Sequence, residues 1–365
     1  MKKKKVITYI DLFSGIGGVR NAMELLTNDL NIESKCLAFS EIDNFATTSY
    51  KANYDTSKEI EMGDIVEFTK SKSNIEKLPD FDILFGGFPC QPFSMMGKQL
   101  GLDDERGGLF FSVAKILNVK KPRYVLLENV RNLYTHEKGK TYKKLKKELN
   151  KYGYDTQEDI FNTSDFGLPQ HRRRLYIFAT RKDLITNKDV FKADLIKEYS
   201  KKSKNKSIRY HKNVLDNILD LKEVDEKYYL SKKLKPTILS NGTKNFKSNS
   251  KINQLIARPL TATMAKMHRA CQDNYYSQEF LNSKCKETYL ENEFSKREEA
   301  EHKIRKLTPW EALKLQGFNK KFYINANKVG ISNHQLYKQA GNAVSVNTVY
   351  SVIDYLLHYK LISLK

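Results

Sequence analysis

The sequence predicts an α/β fold: a doubly wound sheet domain with a smaller, irregular second domain. Two observations predict the sheet and one the second domain. Up to Thr180, short apolar runs alternate with longer helix-like stretches, and several runs are apolar at nearly every position. Strands buried on both faces and separated by helices have that pattern, and their sheets are parallel. After Lys182 the texture turns basic and turn-rich, as in "KKSKNKSIRYHKN" and "LSNGTKNFKSNSKIN", where no period persists.

In chain order the candidate strands are Val6–Phe13, Ser34–Ser40, Phe81–Gly87, Arg123–Val130 and Arg174–Thr180. The first follows four lysines in "MKKKKVITYIDLF", but Asp11 interrupts it and no small-residue cleavage site follows. It reads as a strand rather than a secretory leader. Helices are expected at "GGVRNAMELL", "LFFSVAKILNV" and "TYKKLKKELNKYG", the last stopped by Gly153. Beyond the irregular middle, "LTPWEALKLQGF" starts a helix with Thr308 as N-cap, Pro309 at the first position and Glu311 at the capping-box position. Gly317 ends it. The tail "NTVYSVIDYLLHYKLI" is a strongly apolar helix that needs a large surface to cover, so it is expected to pack back on the first domain.

Composition narrows the function classes. With 365 residues, 40% of them hydrophobic, the chain can build a large core and two domains. No apolar run approaches the ~20 residues of a membrane span, so a membrane role is not expected and the cytoplasm is the expected location. Cys36, Cys90, Cys271 and Cys285 are scattered, without C-x-x-C or His–Cys clustering. That argues against a disulfide framework and against a bound metal. The net charge of +21 suits a polyanion, nucleic acid above all. A coding bias toward Lys, Asn and Ile would give the same sign.

"DLFSGIGGVR" (Asp11–Arg20) reads as strand end, glycine turn and helix start. Glycines let backbone approach a ligand, and helix amides can face its polar groups. The spacing is not the dinucleotide G-x-G-x-x-G, and alone it fits an empty tight turn equally well. The next strand, however, ends in "FSEID", where Glu41 can accept from both hydroxyls of a ribose. Then comes "MGDIV", where Asp64 can accept from an adenine amino group while Ile65 packs on the ring. Each acid alone would be an ordinary surface carboxylate. The ordered trio on the ligand-bearing edge outlines a nucleoside pocket.

"FDILFGGFPCQPFS" places Cys90 between Pro89 and Pro92 at the end of an apolar strand. Proline removes amide donors and breaks regular structure, so this cysteine belongs to a stiff loop rather than a core. A cysteine is already a few per cent thiolate near neutral pH and a good nucleophile. The following strand ends in "VLLENV", where Glu128 leaves an apolar run with Asn129 beside it. Such surroundings can keep a carboxyl protonated. A thiol and a neutral acid on adjacent strand ends suit conjugate addition to an electron-poor ring. In "PQHRRRLYIFAT", alternate residues of an extended segment face one way, so Arg172 and Arg174 are expected in the site and Arg173 outside it.

Taken together these segments resemble the DNA cytosine-5 methyltransferase family of bacterial modification enzymes. The resemblance runs in family order through "DLFSGIGG", "SEID", "GDI", "GFPCQPFS", "RGGLFF", "ENV", "QHRRR", "RKLTPWEALKLQGF" and "QAGNAVSVNTV", leaving out the middle region. It implies a Rossmann-like methyltransferase domain at 1–181 and 330–365, with a target-recognition domain at 182–329 that binds double-stranded DNA. S-adenosylmethionine would lie over Phe13, Ser14, Gly15, Ile16, Gly17 and Gly18, with Glu41 at its ribose, Asp64 and Ile65 at its adenine, and Ile42 also among its contacts. Pro89, Leu109, Asn342 and Val344 would line the rest.

By the same resemblance Cys90 would add to carbon 6 of a flipped-out cytosine. Glu128, Arg172 and Arg174 would hold or protonate the ring, and Gln91, Ser94 and Asn129 would contact the substrate. The loop "SMMGKQLGLDDERGG" would close on DNA. A monomer, no metal and a separately acting restriction endonuclease are the further expectations. Base-reading residues are not assigned, although "RPLTATMAKMHRACQDNYY" stands near the expected place. A related RNA-methylating branch and a DNA-binding regulator with a dead site are the competing readings. The long basic middle disfavours the first, and the presence of Cys90, Glu128, Arg172 and Arg174 the second.

Overall fold

The computed structural model describes residues 4–88, 108–184, 190–203, 207–243 and 245–364. The chain divides into two compact units. The first comprises Met1–Phe166, Arg173–Ile208 and Val344–Lys365; the second comprises Gly167–Arg172 and Arg209–Ala343. Against the expected boundaries, 182–208 goes with the sheet unit, and the second unit extends to Ala343.

The first unit is built on a seven-stranded sheet. Its strands are β1 (Val6–Leu12), β2 (Glu33–Ser40), β3 (Ile60–Glu61), β4 (Ile83–Gly86), β5 (Tyr124–Val130), β6 (Tyr154–Asn162) and β7 (Arg173–Arg181), in the order β3-β2-β1-β4-β5-β7-β6. Neighbours from β3 to β5 pair in parallel. The run Arg174–Thr180, expected in a parallel sheet, instead pairs antiparallel with both β5 and β6. The reason lies in the connection 163–172, which holds only a short 3₁₀ turn at Thr163–Phe166. A parallel partner needs a crossover of a dozen or more residues, usually a helix. Sequence periodicity also passed over β6, "YDTQEDIFN", because its charged residues leave it mostly half-buried.

Strand parity sorts the core. Ile10, Leu12, Leu84, Val125, Leu127, Leu175 and Ile177 pack with Val113, Ile116 and Leu117 of the helix Leu109–Lys120 and with Leu145 and Leu149 of the helix Lys140–Lys151. The opposite parity carries rings that meet across strands, Tyr9 on Phe85 and Tyr124 on Phe178. The apolar tail is the helix Val346–His358, buried at every residue from Val346 to Leu356. It packs on the helix Gly18–Asp29, and Tyr350 donates to Asp29 at 2.5 Å. The tail thus packs within the first unit, as its hydrophobicity required.

The second unit has short helices and little sheet. Among the described residues its strands pair as Tyr275–Ser277 with Ile304–Lys306 and Gly242–Thr243 with Phe246–Lys247. Leu230, Ile238, Leu239, Ile252, Ala270, Tyr275 and Ile304 form a small core. The helix Pro309–Lys314 starts with the expected reciprocal capping box between Thr308 and Glu311, and Gly317 follows it at φ 91°. Glu311 also holds Arg305 in a fully buried two-pronged pair, both contacts 2.9 Å. Among the described residues no helix is long and apolar enough to cross a membrane, and no group of three or more His, Cys, Asp or Glu side chains could hold a metal.

Candidate active site

Because β1 to β5 are parallel, their carboxyl ends share one edge of the sheet. The chain winds from β1 to β3 in one direction and through β4 and β5 in the other. Doubly wound sheets bind ligands where that order reverses, here between the ends of β1 and β4.

The glycine turn sits at that reversal. Phe13 takes a positive φ of 57° and its amide donates to Ser40 Oγ at 3.2 Å, while Ser14 N donates to Ser40 O at 2.9 Å. Gly15 N reaches Glu41 Oε2 and Asp43 N reaches Glu41 Oε1, both at 2.8 Å. Glu41 therefore braces the turn and the start of the next helix. Each carboxylate oxygen has a second lone pair for a ribose hydroxyl. Gly17 begins the first helix at φ 82°, where a Cβ would collide with the Tyr54 ring. A Cβ on Gly18 would lie 2.7 Å from Val344 Cγ2. Ile16 is buried.

This edge fits a nucleoside-bearing cofactor. A Cβ on Gly15 or Gly63 would meet nothing within 4 Å, and Ile42, a large apolar side chain, is 72% exposed beside Glu41. Ser14 Oγ is buried without a hydrogen-bond partner among the described residues. Asp64 caps the short helix Ile65–Phe68 by accepting from Val66 N at 2.8 Å. Ile65 itself is buried in the core cluster, whereas Ile42 is exposed. Leu109 is half-buried at the start of its helix. Val344 belongs to the first unit; Asn342, exposed at the end of the helix Asn333–Asn342, belongs to the second.

Pro89, Cys90, Gln91 and Ser94 lie outside the described residues, as does 95–107. The backbone leading to them is well held. Phe88 is buried, and its carbonyl accepts from Asn129 Nδ2 at 2.7 Å, while Asn129 Oδ1 accepts from Val130 N at 2.9 Å. Asn129, expected to touch substrate, has its amide turned to this backbone.

Glu128 and Arg174 meet: Nε lies 3.1 Å from Oε1, with side chains 14% and 19% exposed. The register explains the meeting. Glu128 is opposite Tyr176 and Val130 opposite Arg174, so Glu128 and Arg174 are diagonal on one face, within reach of long side chains. The reversed direction of β7 is what brings its first residues to this edge; a parallel strand would have carried Arg174 to the far one. A Cβ on Gly87 would lie 3.7 Å from Glu128 Oε2 and 3.6 Å from Val344 Cγ1. Turn, strand end and acid are thus gathered around Val344. Arg173 is exposed, as alternation requires. Arg172 is buried, and its terminal nitrogens donate to carbonyls of the second unit: Leu260 and Gly341 at 3.1 Å, and Ala343 at 3.0 Å.

Sequence reasoning missed the polar cluster beneath the turn. Asp11 is 1% exposed, and among the described residues its Oδ2 has no hydrogen-bond partner. Burial pushes its carboxyl up to about 8; Arg20 pulls it down, and Glu59 and Glu41 push it further up. Arg20 pairs with Glu24 at 2.7 Å and with Glu59, and stands over the Tyr54 ring. The available signal was an acid interrupting an apolar strand. Nearby, burial raises the thiol of Cys36 well above its ordinary range, which disfavours its thiolate form.

A sheet wound in this order, with an open glycine cradle at its reversal and an acid–arginine pair one strand away, defines an enzyme of the Rossmann-like class. The family model of C-5 cytosine-specific DNA methylases matches residues 7–358. The chain belongs to that family and is a DNA (cytosine-5-)-methyltransferase. It is 35% identical over 349 residues to the type II methyltransferase M1.ScrFI of Lactococcus lactis subsp. cremoris, covering 95% of this chain and 77% of the relative. To the type II methyltransferase M.HaeII of Haemophilus aegyptius it is 35% identical over 359 residues, covering 98% and 94%. The fold is also that of the S. pombe Dnmt2 methyltransferase (TM-score 0.71, 18% identity, 98% of this chain and 100% of that one). The Entamoeba histolytica methyltransferase EhMeth shares it as well (TM-score 0.67, 23% identity, 99% and 100%).

Proposed function

We propose that the protein methylates carbon 5 of a specific cytosine in double-stranded DNA, with S-adenosylmethionine as donor, as the modification enzyme of a restriction–modification system. The observation that carries this reading is the Glu128–Arg174 pair at the sheet edge, with Glu128 facing Gly87, three residues before Cys90. When bound, S-adenosylmethionine supplies an electrophilic methyl group on a sulfonium centre. Phe13 to Gly18, Glu41, Ile42, Asp64, Ile65, Pro89, Leu109, Asn342 and Val344 would hold it.

The chain's own groups do the rest. The Cys90 thiolate forms a bond to carbon 6 of a base turned out of the duplex, because a stacked, paired base hides its ring face. Glu128, oriented by Arg174, holds or protonates the ring nitrogen, so the displaced electron pair reaches carbon 5 as an enamine. Carbon 5 takes the methyl group as its bond to the sulfonium sulfur breaks, which would leave a neutral thioether. Loss of its proton and departure of the sulfur restore the ring and the thiolate. Asn129 keeps the backbone entering the Cys90 loop in place, and Gln91 and Ser94 contact the substrate. The charge of +21 supplies phosphate contacts. The protein would act in the cytoplasm as a monomer, with an endonuclease of the same specificity acting separately.

The test is transfer of tritiated methyl from S-adenosylmethionine to duplex DNA and, in parallel, to transfer RNA. Label in DNA is expected from the wild type and none from Cys90→Ala, which should still bind cofactor and DNA. Duplex carrying 5-fluorocytosine at the target should trap a covalent complex. Label confined to RNA, or methylated product from Cys90→Ala, would overturn the reading.

A further inference from the structure

The segment Gly167–Arg172 enters the second unit as a strap, and almost every polar group along it is engaged. Pro169 O accepts from Ala257 N at 2.7 Å, and His171 N donates to Ala257 O at 2.8 Å. Gln170, wholly buried, donates to Leu315 O and accepts from Leu260 N, both at 3.0 Å. Arg172 closes the strap. Its Nη1 serves Leu260 O, and its Nη2 is shared between Gly341 O and Ala343 O.

Those three carbonyls identify what the guanidinium joins. Leu260 is the root of the loop 261–273, most of which is partly exposed. Gly341 and Ala343 flank Asn342 at the end of the helix Asn333–Asn342, where the last carbonyls have no partner within the helix and a cation is favoured. Contact between loop and helix end is close: a Cβ on Gly341 would collide with the backbone of Thr261 and Ala262. Side-chain hydrogen bonds tie the loop together. Asp273, 6% exposed, accepts from His268 N at 2.8 Å and faces His268 Nδ1 at 3.0 Å, and Tyr275 donates to His268 O at 2.6 Å.

We propose that Arg172 is a positioning residue rather than a catalytic one: one buried guanidinium sets the loop 261–273 and the exposed Asn342 relative to each other. A planar fork with five donors can span three carbonyls on two segments; an ammonium, a compact point charge, cannot match that geometry. The loop carries the partly exposed side chains Met267, His268 and Arg269. It is the part of the second unit whose placement would select a DNA sequence, and this step rests on the function proposed above.

The experiment compares wild type, Arg172→Gln, Arg172→Lys and Gly341→Ala. The last disturbs the same junction from the other side without changing charge. Read-outs are kcat, KM for DNA and for S-adenosylmethionine, covalent trapping on 5-fluorocytosine duplex, and bisulfite mapping of methylated contexts on a randomised library. Wild-type transfer to DNA cytosine tests the function itself, and the ratios between proteins test Arg172. Arg172→Gln and Gly341→Ala should each raise both KM values about tenfold and relax the methylated context. Their kcat should fall less than threefold and trapping should remain complete, with Arg172→Lys intermediate. A hundredfold loss of kcat in Arg172→Gln at unchanged KM and unchanged context would place Arg172 on the reacting base and overturn the proposal. So would wild-type behaviour of Gly341→Ala.

Discussion

The two units are held together by different chemistry. In the first, regular ladders satisfy the backbone and apolar side chains fill the space between sheet and helices, so that Leu12, Leu84, Leu127, Val113 and Leu145 meet with no polar partner needed. In the second, ladders are few and buried polar side chains satisfy the backbone instead. Arg305 reaches Glu311, Asp220 O and Lys306 O; Gln170 and Arg172 reach five main-chain groups between them; Asn253 and Asn274 each bridge two segments. Buried backbone groups must be paired, and a segment without helix or sheet must borrow its partners from side chains. The lesson is that an irregular region can be specified closely, at the price of making each clamp indispensable.

Breaking the clamp on Arg305 should have the largest effect. Glu311→Ala leaves a guanidinium buried without its charge partner, and such a loss costs about 3–5 kcal/mol. Denaturation followed through the single tryptophan, Trp310, should show the second unit melting early while amide exchange in β1, β4 and β5 stays slow. Equal protection loss in both units would erase the contrast drawn above. The mirror experiment is Leu127→Ala, which empties space in the packed core and should cost about 2–5 kcal/mol. Exchange should then accelerate across the sheet and leave the Trp310 transition little changed.

A finer effect concerns pH. Folded Asp11 keeps its proton up to about 8, whereas an unfolded aspartate loses it near 3.9. Between those values the native state binds more protons than the unfolded chain. Stability should therefore fall as pH rises through that window, by at most about 1.4 kcal/mol per unit, and level off above it. Asp11→Asn should flatten the profile, read as the urea midpoint between pH 5 and 9. An unchanged slope would show that the polar cluster under the turn does not titrate as a buried acid.

Local signals were legible in the chain. The strands, the glycine turn, the capping box of Thr308 and Glu311 and the apolar tail each depend on neighbours a few residues away, and each stands where the pattern put it. Glu128 and Arg174 were legible as residue types at strand ends, and their pairing is found. Less legible was anything that needed a distant partner. Glu311 read as a capping residue, and its burial against Arg305 did not show. The hold of the Asn129 amide on Phe88 O did not show either. Arg172 and Arg174 read as twins by alternation, yet the chain enters the sheet unit between them, at Arg173.

By itself the sequence determined the class of fold, and it nominated the edge for a nucleoside and the acid and cysteine of the proposed chemistry. Those follow from the period of apolar residues and from the backbone freedom of glycine and proline, which act within a few positions. Only the tertiary structure decided that β7 runs backward, that Arg174 thereby reaches Glu128, and that Arg172 spends its donors on Leu260, Gly341 and Ala343. Strand direction and buried hydrogen bonds are settled by what the rest of the chain places alongside, and no local pattern encodes that.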